Sequence, residues 1–117
     1  MDILRSPGTP PGRNQGTAFG ELVWAVATDR TSSATIEEQT RKTLSELDRV
    51  LADLGSNRTR ILSATIYLAS MLDKPQMDAV WVEWIGSNKN HWPQRACVGA
   101  GLEGKTLVEI VLVAAKA

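Results

Sequence analysis

The chain is poor in the residues that would make its chemistry easy to name. One cysteine in 117 residues excludes an internal disulfide and any zinc site built from the thiolates of a single chain. One histidine likewise argues against a metal site. No charge of one sign dominates: 13 lysines and arginines face 13 aspartates and glutamates. That balance leaves no electrostatic footprint for nucleic acid or an anionic membrane, though a small basic pocket stays compatible with it. No apolar run approaches the roughly 20 residues of a membrane span. The opening MDILRSPGTPPGRNQG has no apolar core of signal-peptide length. The expectation is a soluble cytoplasmic protein without a nucleic-acid or membrane partner.

What is present suits one domain over residues 1–117, with 43% hydrophobic and 22% charged residues. The opening holds three of the five prolines. Residues 1–16 therefore read as mostly loop, with room for one short strand at Asp2 to Arg5. Leu22 to Thr28, LVWAVAT, has strand length and β-type composition. Thr35-Ile36-Glu37-Glu38 fits a capping box. Ile36, Leu44, Leu47, Leu51 and Leu54 then form a helical stripe, and Gly55 is a suitable stop. Arg60 to Ala69 alternates as a half-buried strand does. Asp73 with Pro75 opens a second helix, lined by Met77, Val80, Trp81, Trp84 and Ile85. Two strands follow, from about Arg95 to Ala100 and from about Thr106 to Ala115. The turn at Glu103-Gly104-Lys105 predicts that they pair as a hairpin.

This order predicts an α+β domain, a mixed sheet with two helices packed on one face. The other face would be bare and, along 107–115, apolar. Such a face predicts a partner surface and a homo-oligomer.

Two polar residues are misplaced in these strands. Arg95 and Cys97, two apart, share a strand face. Glu109 interrupts the apolar run LVEIVLVAA. A buried charge costs several kcal/mol unless it is paired or used. Arg95 is therefore either a site residue or a structural ion-pair partner of Glu109. Cys97 is a poor nucleophile candidate, because no histidine is placed to activate it. His91 leads directly into the Arg95 strand and is a minor ligand candidate. Trp81 and Trp84 read as core, while Trp24 and Trp92 are either core or cleft lining. Arg41, Lys42, Arg58 and Arg60 read as solvated surface.

The helix EEQTRKTLSELDRVLADLGS, the strand RILSATIYLASMLD, the helix PQMDAVWVEWI and the ending WPQRACVGAGLEGKTLVEIVLVAA together resemble the Rid family, the reactive intermediate deaminases also called YjgF. The resemblance runs from about Gln15 to the end. P-x-R-x-C-V followed by V-E-I is its most specific part. It implies a bell-shaped, chorismate-mutase-like fold and a homotrimer with clefts between subunits. It implies hydrolysis of enamines and imines to a 2-keto acid and ammonia, with no cofactor and no metal. Carried over, Arg95 clamps the substrate carboxylate, Cys97 sits beside the pocket, and Glu109 positions or polarises the attacking water.

The chain also departs from the family's best-known deaminases. Their tyrosine near the start of the domain falls at Arg13 or Asn14 here. Their serine falls at Val26, next to Ala27. The loop between Cys97 and Glu109 is one residue short. These departures imply a divergent pocket, with Arg13 and Trp24 at its edge. The alternative to a deaminase is a non-catalytic trimer of the same family that binds a small carboxylate. A chorismate mutase would need several cations converging on a dicarboxylate, and Arg95 with Arg13 is a thin supply.

Overall fold

Six strands and two α-helices make up the computed structural model, which describes all 117 residues. They are β1 (Leu4–Pro7), β2 (Asn14–Phe19), β3 (Leu22–Thr28), α1 (Ile36–Asp53), β4 (Ile61–Leu68), α2 (Lys74–Ile85), β5 (Gln94–Gly99) and β6 (Val108–Ala115). Short 3-10 turns at Arg58–Arg60, Met71–Asp73 and Lys89–His91 link them. The strands form one sheet in the order β1-β2-β3-β6-β4-β5.

The last strand is the most apolar, and it takes the most buried place. β6 pairs antiparallel with β3 on one side and with β4 on the other. A near-continuous apolar run belongs in the middle of a sheet, where both edges are hydrogen-bonded. The expected β5–β6 hairpin does not form: β5 instead pairs parallel to β4, at the sheet edge. The predicted turn is present, with Gly104 at φ +57° and Thr106 N–H donating to Glu103 C=O at 3.1 Å. It carries the chain past β4 rather than back along β5.

Within the first 16 residues, otherwise loop, lie β1 and the first three residues of β2. β1 and the start of β2 pair antiparallel there, with a bulge between Ser6 and Pro7. β2 escapes a sequence reading because NQGTAF is polar and carries a glycine. That glycine has a packing reason: a Cβ on Gly16 would lie 2.5 Å from Val50 Cγ1 and 2.8 Å from Leu54 Cδ1. Only a bare backbone lets β2 approach α1 this closely.

Both helices cover one face of the sheet. Thr35 caps α1, its Oγ1 accepting from Glu38 N–H at 3.2 Å, which is one half of the expected capping box. Gly55 follows at φ +81°, as a left-handed stop requires. Leu44, Leu47 and Leu51 of α1 pack on Val23, Ile66, Ile110 and Leu112 of the sheet, all essentially inaccessible to solvent. Met77, Val80, Trp81 and Ile85 of α2 complete the core.

The opposite face carries no helix. It presents Phe19, Leu22, Trp24 and Val98, all exposed, around the half-exposed Val26, Thr65, Val111 and Val113. The molecule is accordingly a slab, 43 × 37 × 19 Å. Monomeric proteins rarely leave a contiguous apolar face of this kind in water.

Candidate functional site

Glu109 stands at the start of β6, aligned with Thr28 of β3 and Tyr67 of β4. Val108 and Ile110 on either side of it point into the core, so its carboxylate points to the open face. There it lines a cavity of about 480 Å³. The β1–β2 loop supplies Arg13, β3 supplies Val26 and Ala27, the segment after β3 supplies Arg30, and the β5–β6 loop supplies Glu103. Arg13, Val26, Ala27 and Glu109 thus line one cavity. Trp24 shares the open face with Val26, two residues along β3, but lies outside the cavity lining.

Arg95 and Cys97 are elsewhere. Arg95 aligns with Ala64 and Cys97 with Ile66, both buried against the helices. The Arg95 side chain is therefore on the helix-covered face, opposite to Glu109, with β4 between their strands. An ion pair between them within one chain, one of the two readings the sequence allowed, does not form. Arg95 instead donates from Nη2 to Asp78 Oδ1 at 2.6 Å, with its guanidinium 5.5 Å from the Trp81 ring centre. Asp78 also accepts from Lys74 Nζ at 2.7 Å. Burial pushes the Asp78 carboxyl up, but the bonds from Lys74 and Arg95 outweigh it and hold it below its ordinary value. Nε and Nη1 of Arg95 keep free donors. Cys97 has its thiol pushed up by burial, with the Arg95 charge opposing. It is protonated at neutral pH and a poor nucleophile.

The tryptophans and loop cations divide. Trp81 is buried, and its ring lies 5.4 Å from that of Trp84. Trp24 and Trp92 are exposed. His91 closes a 3-10 turn and is not part of the cavity. Arg58 is not the solvated residue its sequence suggests. It binds Asp48 through Nη2 at 2.5 Å and Nε at 3.1 Å, donates to Trp84 C=O at 2.9 Å and lies over the Trp84 ring.

Arg30, Glu103 and Tyr67 complete the neighbourhood of Glu109, and no sequence pattern announced them as site residues. For Arg30 a local signal did exist in Asp29-Arg30-Thr31-Ser32-Ser33. The buried Asp29 accepts from Thr31 N–H at 2.9 Å, Thr31 Oγ1 at 2.6 Å and Ser33 N–H at 2.9 Å. Alternating Asp, Thr and Ser in a loop is the composition of such turns. The Gln39 amide then clamps two loops. It donates to Ser33 C=O at 2.8 Å and Lys105 C=O at 3.0 Å, and accepts from Leu107 N–H at 2.8 Å. Gln39 thereby ties the loop that carries Arg30 to the loop that carries Glu103.

Burial pushes the Asp29 carboxyl up, but hydrogen bonding from Thr31 and Ser33 pulls it down to about 2 from an ordinary 3.8. A depressed carboxyl contributes stability that is complete above its unfolded value and is lost as pH falls towards its folded one. Asp29→Asn is expected to be less stable than wild type by about 1–2 kcal/mol at pH 7. The gap should close between about pH 4 and pH 2. Urea unfolding at pH 7, 4 and 2.5 measures it, and a gap that does not change with pH would refute this account.

Three comparisons bear on what this cavity belongs to. Residues 17–116 match the family model described as Endoribonuclease L-PSP. The chain belongs to the Rid/YjgF family. Among curated members, the RutC family protein YoaB of Escherichia coli is 46% identical over 79 residues, covering 67% of this chain and 68% of that protein. A RutC family protein of Haemophilus ducreyi is 42% identical over 91 residues, 77% of this chain and 74% of its own length. Among solved structures, a YjgF family member of Neisseria meningitidis superposes with a TM-score of 0.91 at 34% identity, covering 100% of this chain and 97% of that one. The α+β fold, a six-stranded mixed sheet with two helices, is therefore that of the Rid/YjgF family. No helix of this member is long and apolar enough to cross a membrane.

Proposed function

We propose that this Rid/YjgF protein is an imine hydrolase of the deaminase type, releasing a 2-keto acid and ammonia from a small imino acid. The observation that carries the reading is Glu109, a carboxylate without an ion-pair partner, facing a cavity shared with Arg13 and Arg30. In the proposed reaction Glu109 takes a proton from water as the water oxygen adds to the C=N carbon. It hands that proton to nitrogen, giving a carbinolamine, and then carries the hydroxyl proton to nitrogen as the C–N bond breaks, leaving C=O and free ammonia. Imine carbons are strongly electrophilic, so orientation and charge complementarity suffice without a cofactor or metal.

Val26, Thr28 and Glu109 connect the cavity to the bare face of the sheet. We place a second copy of the chain against that face, in a homotrimer with sites between subunits. Arg95, carried on the edge strand β5, would then reach over that edge to Glu109 of another copy. The Asp78 bond takes one Nη2 N–H of Arg95 and the Trp81 ring lies against its guanidinium, leaving the other paired edge of the fork for a substrate carboxylate. Cys97 lies beside that arginine as an apolar neighbour.

One observation favours the second reading, a trimer that binds a small carboxylate without turnover. Val26 lines the cavity where the family's deaminases carry a serine, so a hydroxyl is lost. RNA cleavage, named in the family model's description, has less support, since the 13 cations are balanced by 13 anions and His91 is outside the cavity.

The deciding experiment generates imino acids in situ with an amino-acid oxidase and follows keto-acid release. Acceleration above the spontaneous rate, reduced by about 100-fold in Arg95→Ala, is the expected result, because a lost bidentate carboxylate contact costs 2–3 kcal/mol. No acceleration with any imino acid would leave the binding reading in its place.

A further inference from the structure

A substrate carboxylate clamped by Arg95 leaves two further arginines in the cavity without an assigned role. If Arg95 of a neighbouring copy clamps that carboxylate, Arg13 and Arg30 still line the same space. Neither forms an ion pair anywhere in the chain, although Glu103 and Glu109 border the cavity with them. A guanidinium that no carboxylate bonds directly keeps donors available to an anion.

Arg30 is also held in place by its surroundings. It follows Asp29, whose buried carboxylate staples the turn through Thr31 and Ser33. Ser32 completes that turn at φ +49°, a left-handed conformation rare outside glycine, with its N–H donating to Asp29 C=O at 3.2 Å. Gln39 pins the far side through Ser33. At the tip, Arg30 Nη1 donates to Thr9 Oγ1, and Nη2 lies 3.5 Å from Gln15 Oε1. Both acceptors are neutral, so they orient the fork without cancelling its charge. The nearby Arg49 differs: it too reaches Gln15 Oε1, at 3.0 Å, but Glu46 answers its charge at 2.6 Å.

We infer that the substrate is an imino acid with a second carboxylate on its side chain, and that Arg30, assisted by Arg13, selects it. This rests on the carboxylate-binding reading of the same cavity. A four- or five-carbon diacid fits within about 480 Å³ and leaves space for the attacking water, which occupies about 30 Å³. The chemistry is that of the proposed hydrolysis: the water oxygen becomes the keto oxygen, ammonia leaves, no electrons are transferred, and the distal carboxylate stays intact.

The test compares kcat/KM for the imines of aspartate and glutamate with those of alanine and norvaline, generated in situ. Alongside it, calorimetry compares 2-oxoglutarate with 2-oxobutyrate as stable probes. The wild type is expected to prefer the diacid at least tenfold, because a charge-assisted bond is worth 1.5–3 kcal/mol. Arg30→Met should erase most of that ratio, and Arg30→Lys, which keeps the charge, should restore part of it. Turnover of all four imines without a diacid preference would overturn the inference and leave the deaminase standing. No turnover, with 2-oxoglutarate still bound more tightly through Arg30, would remove the deaminase and support the inference. Equal affinity for the two probes, together with no turnover, would overturn both.

Discussion

Glu109→Gln is expected to lower kcat for imine hydrolysis by at least about 100-fold while the protein stays folded. The replacement keeps the size and polarity of the side chain and removes only its ability to take and return a proton. The fold should tolerate it. Glu109 makes no ion pair, and its strand is held by the backbone ladders to β3 and β4 and by Val108 and Ile110 beneath. A charge at the margin of an apolar face is, if anything, a cost. The melting temperature should therefore be unchanged or slightly higher. General acid–base catalysis typically contributes 10²–10⁴-fold, and an easy reaction such as imine hydrolysis belongs near the lower end. Keto-acid release at saturating imino acid measures the effect. A variant within about threefold of wild type would remove Glu109 from the chemistry and leave the cavity as a binding site.

The same residue shows what a single sequence can and cannot reveal. Glu109 was conspicuous because it breaks an apolar run, and a charge in such a run needs a purpose or a partner. Arg95 was conspicuous on the same ground, and there the ground misleads in part. Its partner within the chain is Asp78 on α2, seventeen residues earlier, and nothing local advertises that pairing. α1, α2, β3 and β4 were legible because their apolar spacing matches a helical stripe or an alternating strand. β2 was not, because it is specified by an absence, the missing side chain at Gly16 that Val50 and Leu54 fill. The order of β5 and β6 was misjudged for a related reason. Nearness in sequence suggested a hairpin, whereas the apolar run of β6 is better satisfied between two strands than at an edge. Arg30 is the instructive omission. Arg30 is exposed, as an arginine in a polar loop is expected to be, and its place at the cavity shows only when the Asp29 staple, the Gln39 clamp and the cavity are seen together.

The bare face of the sheet carries the other large expected effect. Val111→Asp should convert the proposed trimer to a monomer at micromolar concentration and abolish the proposed imine hydrolysis with it. Val111 aligns with Val26 on one side and Thr65 on the other, in the middle of the face that no helix covers. In an isolated chain a carboxylate there stays in water and costs little, so the variant should fold. In an oligomer packed through this face it is buried among Trp24, Val26 and Val113 of its own copy and the matching surface of the next. An unpaired charge so placed costs several kcal/mol per copy, and every 1.4 kcal/mol is a factor of ten in affinity. Activity should fall with assembly, because Glu109 and Arg95 lie on opposite faces of one sheet and would meet only across a subunit boundary. Val82→Asp is the matching control: Val82 is exposed on α2, within the helix layer, and the same charge there should leave both mass and turnover as in wild type. Light scattering after size exclusion reads the mass, and the imine assay reads the site. A Val111→Asp protein that keeps the wild-type mass would show that the apolar face is not the interface. One that becomes monomeric yet still hydrolyses imines would show that a single chain holds the whole site, and that Arg13 and Arg30, rather than Arg95, bind the substrate carboxylate.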